Sequence, residues 1–176
     1  MSDLVEYDFG GGGGPVPAAR HENPDGSEGG WVAATARVGR QAYIGRDARV
    51  FDFAQVFGFA RVTGVAQVSG VARVSGVARV FGDAKVTGSA QISGDAWVFE
   101  CAHVSGFARI YDDARVRGVV RVYDDARVFG SARLSGEVWV FGSAEVCGGT
   151  MTTDANSLHG TRLRAGKAPR GRRRKK

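Results

Sequence analysis

The chain has 176 residues, 43% of them hydrophobic, with 27 glycines, two cysteines and a formal net charge of +6. That length suits one folded domain, no apolar run approaches the ~20 residues a bilayer-spanning helix needs, and so few cysteines rule out a disulfide-held scaffold. No basic, apolar and cleavage-site order marks a secretory signal, so a cytoplasmic or virion-associated protein without membrane contact is expected.

Charge divides the chain into three regions: residues 1–31 carry −5, residues 32–151 carry +3, and residues 152–176 carry +8. The first region is an acidic, Gly/Pro-rich arm and cap. Its glycine run, Gly10 to Gly14, reads as a linker that detaches Leu4, Val5, Tyr7 and Phe9 as a docking peptide or a frayed end. Trp31, just before the repeat, is placed to plug the N-terminal end of the fold.

From Val32 to Met151 a six-residue unit recurs twenty times without insertion or deletion, most often as Val-x-Gly-x-Ala-Arg. Such internal repetition decides architecture before local propensity does. The first position is always aliphatic and the fifth almost always Ala, with Val120, Val138 and Thr150 departing from it. On an extended chain alternate residues share a face, so these two point one way and the sixth and second positions the other. Gly fills the third position in thirteen hexads and Asp in three more, which suits a bend with positive φ. Each hexad is therefore a short strand and a corner. A meander of hairpins would leave the Val/Ala face uncovered. Coiling three hexads into a triangular turn of 18 residues buries that face in a prism of six to seven turns, roughly 32 Å long.

This pattern resembles the hexapeptide repeat of single-stranded left-handed parallel β-helices, the superfamily of trimeric acyltransferases and their non-catalytic relatives. The resemblance implies the left-handed coil, which general crossover rules alone would not give. Enzymes of that family use a His base at a subunit interface and a long inserted loop. Here the hexads run without a loop, and His103, at the sixth position, is the only His in the repeat. His103 is thus the catalytic candidate under an acyltransferase reading and otherwise one polar ladder residue. Three histidine ligands for zinc, as in related carbonic anhydrases, are not available from the repeat, and no cofactor or metal is expected.

Arg or Lys holds the sixth position in eleven of the twenty hexads. Asp47, Asp83, Asp113 and Asp125 stand two residues before Arg49, Lys85, Arg115 and Arg127, so local ion pairs are expected. More unusual are Phe51, Phe53, Phe57, Phe59, Val65, Val71 and Val77, apolar residues at outward positions within two turns. They read as a partner-binding patch, with rung-to-rung stacking as the competing explanation. A basic, disordered tail closes the chain. Its Arg162, Arg164, Lys167, Arg170, Arg172, Arg173, Arg174, Lys175 and Lys176 suit non-specific contact with nucleic acid or an acidic partner. Leu158 and Leu163 are placed to cover the last turn.

The resulting expectation is a non-enzymatic structural and interaction module, a rigid solenoid that forms a homo-oligomer, with a trimer favoured, or docks into a larger assembly. Its uninterrupted hexads look like compact bacterial and phage members of the superfamily, which implies a virion component. An acyltransferase-like enzyme and a nucleic-acid-associated protein are the alternatives.

Overall fold

The computed structural model describes residues 4–10, 12–159 and 162–164. It is an all-β parallel solenoid of about seven turns with about 18 residues per turn. Parallel pairing at that interval excludes the hairpin meander: Val56 pairs with Val74 and Val74 with Ile92.

Three ladders run along the coil. The first starts at Arg37–Val38 and passes through Gln55–Val56, Arg73–Val74 and Arg109–Ile110 to Glu145–Cys147 and Arg162–Arg164. The second starts at Tyr43–Ile44 and passes through Arg61–Val62, Arg79–Val80, Trp97–Val98 and Arg115–Val116. The third starts at Glu28–Ala33 and passes through Arg49–Val50, Lys85–Val86 and His103–Val104 to Arg121–Val122. A longer strand, Arg133–Phe141, belongs to the second ladder at one end and the third at the other.

The inward residues explain why the chain coils. From Ile44 through Val140 every first-position side chain is at most 1% exposed, and from Ala42 through Ala144 every fifth-position side chain is fully buried. Burial of a Val contributes on the order of 1.5 kcal/mol, and repeating it down the column offsets the ordering of a glycine-rich backbone. The two buried valines at the fifth position, Val120 and Val138, are one turn apart and stack in a single column, so the enlarged packing is local.

The corners carry their own logic. Ala72 donates to the Ser69 carbonyl across a four-residue turn, and Gly70, the second residue of that turn, has φ +69°. A Cβ on Gly70 would stand 2.8 Å from the Gly88 carbonyl oxygen one turn on, so both conformation and space demand glycine there. Asp52, Glu100, Asp112 and Asp124 take the same positive φ without being glycine. Each has a glycine above it, at Gly70, Gly118, Gly130 and Gly142, which leaves room for its side chain. Three of the carboxylates use that room to accept a backbone hydrogen bond from the next turn: Asp52 from Gly70 at 2.9 Å, Asp112 from Gly130 and Asp124 from Gly142 at 3.1 Å.

The N-terminal region is folded onto the coil. Strands β1 (Val5–Tyr7), β2 (Val16–Glu22) and β3 (Glu28–Ala33) form an antiparallel meander that continues into the third ladder. Gly10, Gly12, Gly13 and Gly14 lie between β1 and β2, which pair with each other, so the linker reading is corrected. Asn23 caps the second ladder where its first strand has no preceding turn: its side chain accepts from Ile44 N–H at 2.8 Å and donates to the Ile44 carbonyl at 3.2 Å. Arg20 donates to the Arg46 carbonyl at 2.7 Å. An unpaired strand edge is thereby closed by side chains.

Two further expectations are corrected at the other end. The coil does not stop at residue 151, because Thr150–His159 pairs with Arg133–Phe141 and Arg162–Arg164 pairs with Glu145–Cys147, both in parallel. The disordered tail assigned to 152–176 therefore begins too early. The twentieth hexad is also one residue short: Leu134 pairs with Met151, and Gly149 takes the fifth-position role by accepting from Arg133 N–H. Consecutive positive φ angles at Gly148 (+70°) and Gly149 (+75°) make this tighter corner possible. Met151, expected outward, instead packs against the core, as does Leu158. Leu163 has the inward Val146 as its register partner.

Candidate interaction surface

The ladders sort the outward residues by position, and rung-to-rung stacking holds at only one of the two outward positions. Second-position rings stack between turns: Phe81 on Phe99 at 4.7 Å, Tyr111 on Phe129 at 5.0 Å and Tyr123 on Phe141 at 5.1 Å. Fourth-position side chains stand at the corners and face water. Phe53 is 64% exposed, Phe59 60% and Val71 50%.

Of the seven residues expected in the patch, five come together. Phe53 and Val71 lie one turn apart at one edge of the first ladder, Phe59 and Val77 at its other edge, and Phe57 on the ladder between them. Phe57 has Gly39 and Ser75 as rung neighbours, so no ring covers it from either side. Val65 is left out. It occupies the corner between the second and third ladders, flanked one turn away on each side by Asp47 and Asp83. Phe51 is also corrected: Phe9 of the N-terminal meander stacks on it at 4.9 Å, and Phe9 is buried. Tyr7 likewise stacks on Trp31 at 4.4 Å. The arm hides one aromatic from solvent and leaves the first-ladder edges open.

The sixth-position ladders behave differently from the expectation of local ion pairs. Among the described residues no ion pair joins Asp47 to Arg49, Asp83 to Lys85, Asp113 to Arg115 or Asp125 to Arg127. In each case the acid is a turn residue and the base a strand residue beyond an inward Ala. Arg127 pairs with Glu145, its rung neighbour, at 3.6 Å. Several other guanidiniums lie over rings: Arg61 over Tyr43 at 4.7 Å, Arg79 and Arg115 over Trp97 at 4.9 and 4.8 Å, and Arg121 over Trp139 at 5.3 Å. Each such contact contributes about 0.5–1 kcal/mol at a solvent-exposed site, and interleaving rings separates like charges that rung spacing would otherwise stack.

His103 sits between Lys85 and Arg121 in the third ladder. Partial burial lowers its pKa below 6.5, and the two neighbouring cations lower it further. Its ring therefore holds a proton less tightly than a free imidazole, with Nε2 3.4 Å from the Thr87 hydroxyl. A neutral imidazole can accept a proton, but His103 lines none of three shallow grooves of about 620, 360 and 280 Å3. Among the described residues no three His, Cys, Asp or Glu side chains converge to hold a metal ion. Cys101 and Cys147 are free thiols, and no described helix is long and apolar enough to cross a membrane. In the basic tail, Lys167, Arg170, Arg172, Arg173, Arg174, Lys175 and Lys176 lie outside the described residues. The backbones of Arg162 and Arg164 belong to the last strand of the first ladder.

Sequence reasoning missed the arginine at Arg117. It is the one charged residue at the second position in the repeat, and that oddity was the available signal. It joins Arg115 and Arg133 on the second ladder beside the smallest of the three grooves.

A family model described as the YdcK beta solenoid repeat matches residues 120–136, a stretch shorter than one turn near the C-terminal end of the coil. No curated protein matches the chain. The repeat match and the parallel ladders together make the chain a hexapeptide-repeat-like β-solenoid.

Proposed function

We propose that this chain is a non-catalytic structural module, a rigid solenoid that self-associates through the first-ladder face bounded by Phe53 and Phe59, with a trimer as the favoured assembly. The exposure of those two rings, on opposite edges of one face, carries the reading. Water gains nothing from contact with Phe53, Phe57, Phe59, Val71 and Val77 on one side of a narrow rod, and clusters of this kind mark interfaces. Gln55 and Arg73 between them supply hydrogen-bonding groups without a carboxylate, in keeping with the aromatic and Arg enrichment of interface centres. A rod whose core is a continuous column suits this role, since its outer face is held in register by every turn.

The test is the solution mass of the full chain. Wild-type protein is expected at a multiple of the monomer mass, and Phe53→Ser with Phe59→Ser is expected to return it to monomer while leaving the β-sheet circular dichroism unchanged. A wild-type chain that stays monomeric at every concentration overturns the reading. Acyl-coenzyme A binding that is lost in His103→Ala would instead support the enzymatic alternative.

A further inference from the structure

The second ladder carries a repeated order of side chains at its sixth positions: Tyr43, Arg61, Arg79, Trp97, Arg115, Arg133. Two arginine pairs result, and adjacent rungs place the members of each roughly 4.8 Å apart. Like charges directly opposite one another destabilise a sheet unless something compensates. In the first pair both guanidiniums are compensated by rings, Arg61 by Tyr43 and Arg79 by Trp97. In the second pair Arg115 shares Trp97, whereas Arg133 has Thr150 as its other neighbour.

The second pair also has what the first lacks. Arg117 adds a third guanidinium on the same rung as Arg115, where the rung of Arg61 has Thr63 and that of Arg79 has Phe81. Ser135, Thr150 and Thr152 bring three hydroxyls to the same place, and the groove between them has a volume of about 280 Å3 with Leu134 beneath it. Among the described residues neither Arg117 nor Arg133 has an ion-pair partner. Glu100 and Glu137 line an adjoining groove at the corner, on the far side of Arg117.

We propose that this groove binds a phosphate-bearing small molecule, its phosphate oxygens taken by Arg115, Arg117 and Arg133 and by the hydroxyls around them. Arginine suits this because its planar fork matches two phosphate oxygens at once and its charge is constant. Three such groups line one groove on adjacent rungs held in register. The volume is larger than one phosphate needs and close to the lower limit of small-ligand sites, about 300 Å3, so an ester carrying a further group fits better than the free ion. The site is at least two turns along the coil from Phe59 and Val77 and is independent of their role in assembly.

Isothermal titration calorimetry of the full chain tests this with inorganic phosphate, pyrophosphate and adenosine 5′-diphosphate as probes. Saturable binding is expected, tighter for the diphosphates than for phosphate, and weakened at least about ten-fold by Arg117→Gln, a loss of one charge-assisted contact. Arg61→Gln with Arg79→Gln is expected to leave binding unchanged, because neither residue lines this groove. Equal affinity for pyrophosphate and adenosine diphosphate identifies the free ion as the ligand source; tighter adenosine diphosphate than pyrophosphate identifies the ester. Either fits the shared chemistry. No binding of any probe at millimolar concentration, or binding that survives Arg115→Gln with Arg117→Gln and therefore resides on the basic C-terminal residues, overturns the proposal.

Discussion

The second and third turns and the last three turns are built on the same inward columns yet present opposite surfaces. Between residues 51 and 77 the corners carry Phe53, Phe59, Val65, Val71 and Val77, whereas between 109 and 152 they carry mainly Asp113, Asp125, Ser131 and Glu137, and the flat second-ladder face carries Arg115, Arg117 and Arg133. The lesson is that a solenoid separates stability from display. Ala and Val at two positions hold every turn equally, so the remaining positions are free to differ along the rod.

The largest effects should therefore come from the shared columns, wherever along the rod they are struck. Gly70→Ala forces a side chain onto φ +69° and into the Gly88 backbone 2.8 Å away, and should cost about 3 kcal/mol or more, summing a left-handed penalty of 1–2 kcal/mol with overpacking. Chemical denaturation checks it; a cost under 1 kcal/mol would mean that the corner glycines are not required by the stack. Ala72→Leu, in the fully buried fifth-position column, should cost a similar ~1–3 kcal/mol by overpacking.

Smaller effects separate the two surfaces. Trp97→Ala removes one ring shared by two guanidiniums and should cost about 1–2 kcal/mol, more than Trp139→Ala, whose ring meets Arg121 alone. Equal losses would remove the argument that shared rings separate the arginine pairs. The smallest is electrostatic. The folded His103 gives up its proton more readily than an unfolded His of pKa 6.5. The unfolded state then binds more protons as the pH falls through that value, so stability contributed by this group is present above it and declines below it. His103→Gln should flatten the fall in denaturation midpoint between pH 7 and 5; an unchanged slope would assign that dependence elsewhere.

The repeat made the inward half of every hexad legible, because an aliphatic first position and a small fifth position can be satisfied together only inside a coil. What it concealed were departures in phase and in long-range cover. Gly148-Gly149 matches the hexad count in sequence, but its two positive φ angles shorten the corner by one residue and turn Met151 inward. Phe51 and Phe53 look alike on the chain. One is covered by Phe9 from 42 residues earlier and the other is not, a difference no local pattern records. Asp113 and Asp125 stand two residues before Arg115 and Arg127 on the chain, yet Arg115 lies over Trp97 and Arg127 pairs with Glu145, each one turn away.

Sedimentation equilibrium on the full chain, comparing Phe53→Ser plus Phe59→Ser with Phe107→Ser plus Val119→Ser, decides whether the first-ladder face carries self-association. All four are exposed apolar corner residues, at 64% and 60% in the first variant and 64% and 46% in the second. Wild type and the second variant are expected to be oligomers, and the first variant a monomer. A monomer throughout, or equal dissociation in both variants, would contradict self-association through that face.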